Sequence, residues 1–242
     1  MEAFEHSHEG VVYRGRIARP AGAGPHPGVM VMHDGRGVAD FVCERAEALA
    51  ALGYVALATD MFGEGAQYLD PAEGSAKVIA LRKQGPVLRA RVRAAYESFA
   101  ADARVDASRI GAIGYCFGGQ CVLELARSGA GVRAVASFHG TLTTHQLAGP
   151  GEIRAQVLAL TGAQDPFAAK PDRESFEAEM IAAGAEWQMT IYGSGKHGFS
   201  DPISDAMANV IPGVGYDAQI DRLSWRQAVE FLDAVLLLEA GS

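Results

Sequence analysis

The chain has 242 residues, 49% hydrophobic and 21% charged, a balance that buries one sizeable core and is unlike a disordered polymer. Its 29 acidic and 21 basic side chains give a net charge of −8, and an acidic surface of that kind repels phosphate backbones, so nucleic acid is not an expected partner. Apolar runs such as Gly28–Met32 stop far short of the ~18 residues a membrane-spanning helix needs. The start, Met1-Glu2-Ala3-Phe4-Glu5-His6, is acidic and polar where a secretory signal would be basic and then apolar. Three cysteines, Cys43, Cys116 and Cys121, cannot all pair within one chain, and a domain of this size needs no stapling, which predicts free thiols in a reducing cytoplasm.

No linker rich in Pro, Ser or Gly divides the sequence, so a single domain is expected over residues 1–242. Short β-rich apolar runs alternate with longer segments of helical period. The first read as strands at Val11–Ala18, Gly28–His33, Tyr54–Thr59, Arg109–Gly114, Val132–Phe138, Val157–Thr161 and Trp187–Ile191. The second read as helices at Val42–Leu52, Val87–Ala101, Phe117–Arg127, Arg173–Ala183 and Arg222–Leu238. That alternation predicts an α/β architecture, a mostly parallel central sheet flanked by helices on both faces.

Open α/β sheets gather ligands and chemistry at the carboxyl ends of their strands. The polar breaks there are His33-Asp34-Gly35-Arg36-Gly37, Gly114-Tyr115-Cys116-Phe117-Gly118-Gly119, Thr161-Gly162-Ala163-Gln164-Asp165 and Gly193-Ser194-Gly195-Lys196-His197-Gly198-Phe199. The second has the form Gly-x-nucleophile-x-Gly, in which small flanking residues let the chain turn sharply from strand to helix and lift the central side chain. Cys116 would then stand at a helix N-terminus, where its thiol is activated and the Phe117 amide is free to donate to an oxyanion. The spacing Gly114, Gly118, Gly119 is not that of a dinucleotide fingerprint. A thiol nucleophile needs a base, and the base an orienting carboxylate. Asp165 and His197 follow in the order nucleophile, acid, His used by α/β-hydrolases.

Together with Thr59-Asp60-Met61-Phe62-Gly63 and His197-Gly198-Phe199, these landmarks resemble the dienelactone hydrolase family, a branch of the α/β-hydrolases whose nucleophile is Cys within Gly-x-Cys-x-Gly-Gly. The similarity spans nearly the whole chain and implies the α/β-hydrolase fold. It implies Cys116 as nucleophile, His197 as general base and then acid, Asp165 as the carboxylate orienting His197, and the backbone amides of Gly35 and Phe117 as the oxyanion hole. Asp34 stands where the family has a Glu that contacts the thiol, so the resemblance makes it the thiol-modulating carboxylate, one methylene shorter. Family members that cleave dienelactone carry an Arg shortly after the catalytic His. Asp201 is found four residues after His197, and its opposite charge points to a neutral ester or lactone, with Arg36 or Arg82 as partial compensation.

His139, Arg36, Arg82 and Phe199 are candidate substrate contacts, and His33, ending a strand at the same edge, is a candidate to line the pocket. His6 and His8 sit near an N-terminus expected to fray, without partners at metal-ligand spacing, so no metal is expected. Cys121 is too far round its helix for a redox pair with Cys116, and Cys43 lies on an earlier helix; both are expected to pack. The expected activity is cysteine-dependent hydrolysis of a small ester or lactone through a thioester, without a cofactor. The alternative is a ligand-binding or redox-sensing protein of the same fold that does not hydrolyse.

Overall fold

A computed structural model describes residues 1–237. The chain runs through β1 (Glu2–His8), β2 (Val11–Ala18), β3 (His26–Met32), α1 (Asp40–Ala51), β4 (Val55–Thr59), α2 (Pro71–Arg82), α3 (Gly85–Ala100), β5 (Val105–Tyr115), α4 (Phe117–Arg127), β6 (Ala134–Phe138), β7 (Gln156–Gly162), α5 (Lys170–Ala183), β8 (Trp187–Tyr192), a 3₁₀ turn (Pro202–Met207) and α6 (Ala218–Leu236). All eight strands share one sheet in the order β1-β2-β4-β3-β5-β6-β7-β8. β1 and β2, and β2 and β4, pair antiparallel; the rest of the sheet is parallel.

The strand side chains alternate between two cores. Met30 and Met32 of β3 and Val55 and Leu57 of β4 pack toward α2–α5, while Val29, Val31, Ala56 and Ala58 pack toward α1 and α6. This is the two-sided burial that a parallel sheet requires, and it explains the continuous apolar runs in the central strands. The chain steps from β3 to β4 on one side and to β5 on the other, so the carboxyl ends of β3 and β5 flank the point where strand order reverses. Among the described residues no helix is long and apolar enough to cross a membrane.

The seven strands and five helices expected from periodicity are present, with ends displaced by a few residues; Leu238, at the end of the last expected helix, lies outside the described residues. Two elements were not anticipated. Instead of fraying, the N-terminal segment forms β1, paired with β2 from Glu2↔Ile17 to His8↔Val11. Its inward side is Phe4, packed edge-on to Phe99, and His6, stacked on Tyr13 at 4.9 Å, a mixture that does not read as an apolar face. The second is α2, which carries Gly74 inside its first turns and buries only Gly74, Val78 and Leu81.

Every residue of α4 is buried, including its last, Arg127, so that guanidinium must find its partners inside the protein. It forks onto Glu179 of α5 at 2.9 and 2.7 Å, reaches Glu124 at 3.2 Å and donates to the Leu142 carbonyl at 2.8 Å. Removing Arg127 leaves the buried Glu179 carboxylate without a counter-charge, while Glu124 keeps Arg89 at 2.8 Å. Arg127→Ala is therefore expected to lower the unfolding free energy by about 3–5 kcal/mol, read from the denaturant midpoint at constant m-value. A loss below about 1 kcal/mol would show the cluster to be dispensable.

Candidate active site

Between β5 and α4, Cys116 holds φ 53° and ψ −110°, a backbone region that side chains disfavour. Its neighbours enforce the turn. A β-carbon on Gly114 would overlap the Gly118 carbonyl, and one on Gly118 would overlap the Met32 carbonyl of β3, so the turn closes only with glycine at both places. The Cys116 N–H donates to the Phe138 carbonyl at 3.0 Å, and the buried Phe117 ring stacks on Phe62 with centroids 5.7 Å apart. The thiol is left at the amino end of α4, facing a cavity of about 480 Å³ that His197, His139 and Gly35 also line.

His197 Nδ1 lies 3.0 Å from Asp165 Oδ2, and the second Asp165 oxygen accepts the Phe167 N–H at 2.7 Å. A carboxylate only accepts, so Nδ1 carries the proton and Nε2 is left for Cys116. The His197 backbone is clipped to the segment that follows it: its N–H donates to the Gly213 carbonyl at 2.8 Å and its carbonyl accepts from the Gly215 N–H at 3.0 Å. Phe167 and His139 pack edge-on against the ring, at 4.8 and 5.2 Å. Burial by itself would lower the His197 pKa. The negative charge of Cys116 as a thiolate, with the hydrogen bonds to Asp165 and Cys116, outweighs burial and pushes it up to about 10.

The backbone amides of Gly35 and Phe117 have no protein acceptor among the described residues. His33 does not line the cavity as expected from its place at the strand end; it is fully buried, because both ring nitrogens are used. Nε2 accepts the Met61 N–H at 3.0 Å, so Nδ1 carries the proton and donates to the Asp34 carbonyl at 2.6 Å. Burial holds the His33 pKa down, consistent with this neutral form. The Asp34 carbonyl and the Gly35 N–H belong to one planar trans peptide and point in opposite directions. His33 thereby fixes the direction of the Gly35 N–H.

The remaining expected residues divide. Asp34 lines the cavity, yet its hydrogen bonds go to Arg36 and not to the thiol: the Arg36 backbone N–H and side chain occupy both carboxylate oxygens at 2.5–3.2 Å. The shorter Asp side chain turns back on its own loop. The same guanidinium pairs with Asp201, whose other oxygen caps the 3₁₀ turn through the Ile203 N–H at 3.2 Å. Burial raises the Asp201 pKa even beside Arg36. Asp201 is therefore not the free anion that the sequence argument supposed. Arg82 also lines the cavity and donates to Gln120 at 2.7 Å. Two aspartates and two arginines face the cavity and cancel, so neutrality arises by compensation and not by repulsion. His139 lines the cavity with φ 40°, its Nε2 bonded to the Ser200 hydroxyl at 2.7 Å, and burial together with the His197 charge pushes its pKa well down. Phe199 is not a substrate contact: it is fully buried and packs edge-on against His139 and Tyr192.

The model of the dienelactone hydrolase family matches residues 13–236. The chain belongs to this family. Among solved structures, "m3DLH" is 34% identical with a TM-score of 0.89 and covers 97% of this chain and 98% of its own. A dienelactone hydrolase-like promiscuous phosphotriesterase from metagenomic libraries is 32% identical, with a TM-score of 0.88 and 97% of each chain covered. The carboxymethylenebutenolidase of Pseudomonas putida is 26% identical over 236 residues, 93% of each chain. As a dienelactone hydrolase family member, this α/β-hydrolase-fold protein is a hydrolase of carboxylic esters or lactones.

The charge of Cys116 is the largest influence raising His197, which makes the pair testable by titration. Because the folded value lies above the ordinary 6.5, stability contributed by protonated His197 is complete below pH 6.5 and is lost as pH rises through about 10. In Cys116→Ala the upward influence of the thiolate disappears while burial remains. The His197 pKa, followed by NMR, is expected to fall well below 10. An unchanged value would mean that the thiol and imidazole do not interact.

Proposed function

We propose that the protein hydrolyses a small neutral ester or lactone through a Cys116–His197–Asp165 triad and a thioester intermediate. The observation that carries this reading is the buried His197–Asp165 hydrogen bond beside a cysteine held in left-handed backbone at a helix N-terminus. His197 holds the thiol proton, and the Cys116 sulfur attacks the carbonyl carbon. The oxyanion that forms is received by the Gly35 and Phe117 N–H groups. As the intermediate collapses, the carbon–oxygen bond breaks and the leaving alkoxide takes the proton from His197. A water molecule, losing a proton to His197, then attacks the thioester through a second oxyanion; the acid departs and the thiol is restored. Three free thiols support a reducing compartment, the cytoplasm. The likeness to a promiscuous phosphotriesterase adds phosphotriesters as a second substrate class to assay, since the same donors suit a phosphoryl oxygen.

With a chromogenic acetate ester, Cys116→Ala is expected to remove turnover and His197→Ala to cost at least about two orders of magnitude in kcat/KM. Losses in the His197→Ala, Asp165→Asn pair should be far from additive, as for groups acting as one unit. Wild-type turnover in Cys116→Ala would end the cysteine-nucleophile reading, whereas no ester turnover in the wild type would put a binding or redox role in its place.

His33 is a positioning residue in this scheme. His33→Leu releases the Asp34–Gly35 peptide and is expected to lower kcat about tenfold or more with little change in KM, below the 10²–10³ of losing an oxyanion donor outright. His33→Asn, whose amide both accepts and donates, should recover part of the loss. Equal kcat in His33→Leu and wild type would show that the peptide holds its direction unaided.

A further inference from the structure

The cavity above Cys116 is chemically two-sided. Its charged groups are tied to the protein: Arg36 pairs with Asp34 of its own loop and with Asp201 at the start of the 3₁₀ turn, and Arg82 donates to Gln120, whose backbone N–H donates to the Cys116 carbonyl. The rest of the lining is largely apolar. Leu69 and Ile79 come from the start and middle of the α2 region, Phe167 from the loop after β7, and Ile203, Met207 and Ile211 from the 3₁₀ turn and the segment beyond it. Four of the eleven large hydrophobic side chains exposed among the described residues, Leu69, Ile79, Phe167 and Ile203, converge on this one mouth, and Leu69 is 92% exposed. Large apolar groups held in water around a catalytic cavity mark a surface that a ligand covers.

We propose that the substrate of this hydrolase is an uncharged ester bearing an apolar arm, an aliphatic chain of several carbons or an aryl ring, seated between the Leu69–Ile79 wall and the Ile203–Met207–Ile211 wall. The inference rests on the ester-hydrolase reading and adds the chemistry of the part of the substrate that does not react. A cavity of about 480 Å³ is underfilled by an acetate of a small alcohol, and the four Asp and Arg side chains of its lining sum to zero net charge, with Arg36 taken up by Asp34 and Asp201 and Arg82 held by the neutral Gln120. Selectivity for the arm comes from burial of its methylenes, so it grows with length until the arm passes the mouth.

Two ester series test this, one lengthening the acyl group from acetate to decanoate on a common phenol, the other lengthening the alcohol of an acetate. In at least one series kcat/KM is expected to rise by about two- to fourfold per methylene, and so by at least about sixtyfold from two to eight carbons. Leu69→Ser and Ile79→Ser, each on an exposed side chain, should reduce the octanoate-to-acetate ratio severalfold. Flat profiles in both series, or ratios unmoved in both variants, overturn the arm while leaving hydrolysis intact. Calorimetric binding of the same esters to Cys116→Ala gives the ordering without turnover. If wild-type protein cleaves no ester but this variant binds octanoate at least about tenfold more tightly than acetate, the hydrolase reading fails and the apolar site stands; equal affinities overturn the site itself.

Discussion

The left-handed backbone of Cys116 is the constraint on which the site depends, because the contacts that enforce it also assemble its neighbours. Gly118 lies against the Met32 carbonyl, so the start of α4 touches the end of β3, and the chain continuing from β3 is the His33-Asp34-Gly35 loop. The next residue, Gly119, meets Gly140 and Ser137 on the other side, bringing up the end of β6 and His139, the second non-glycine cavity residue with positive φ. Two adjacent glycines thus set the spacing from the thiol to both the oxyanion loop and the wall behind His197. A side chain at either would separate elements whose distances the proposed chemistry needs fixed within fractions of an ångström.

Electrostatically, the two histidines that face each other across 5.2 Å have opposite assignments. His197 is held protonated by the charge of Cys116 and the bond to Asp165, whereas His139 is held neutral by burial and by the charge on His197 itself. One cation beside the thiol is therefore favoured over two. The Ser200 hydroxyl at His139 Nε2 satisfies that nitrogen without a carboxylate, which would have pulled His139 toward protonation and weakened the His197 assignment.

How much of this was legible in the sequence follows from the range of each signal. The elbow, Asp165 and His197 were readable because each is a short motif at a strand end, and the structure sets Cys116 and His197 on one cavity with Asp165 bonded to the imidazole. The core strands were readable from continuous apolar runs. The ion cluster of Asp34, Arg36 and Asp201 was not, since Arg36 and Asp201 are 165 residues apart and nothing local predicts their meeting. Nor was the burial of Phe199 and His33: both follow strands among catalytic residues, and only packing tells a residue that touches substrate from one that supports a neighbour. β1 escaped because histidines and glutamates spell a loop until Tyr13 and Phe99 are there to receive its inner face.

The failure at α2 is of a different kind. By local rules it is a poor helix, with Gly74 near its start and Ile79 half in water. Both oddities face the site. A β-carbon on Gly74 would overlap the Gly35 carbonyl, so glycine is what lets this helix rest directly on the peptide that follows the oxyanion amide. Ile79 on the same helix borders the cavity, and Arg82 in its last turn reaches Gln120 above the elbow. One helix therefore braces the Gly35 carbonyl, walls the proposed arm site and lends a guanidinium to the cavity lining. A sequence optimised for helix formation would put alanine at Gly74 and a polar residue at Ile79, and it would lose the contact with the oxyanion loop and the apolar wall. Helical propensity is given up at the positions where the helix meets the site, which is why periodicity alone passes over it.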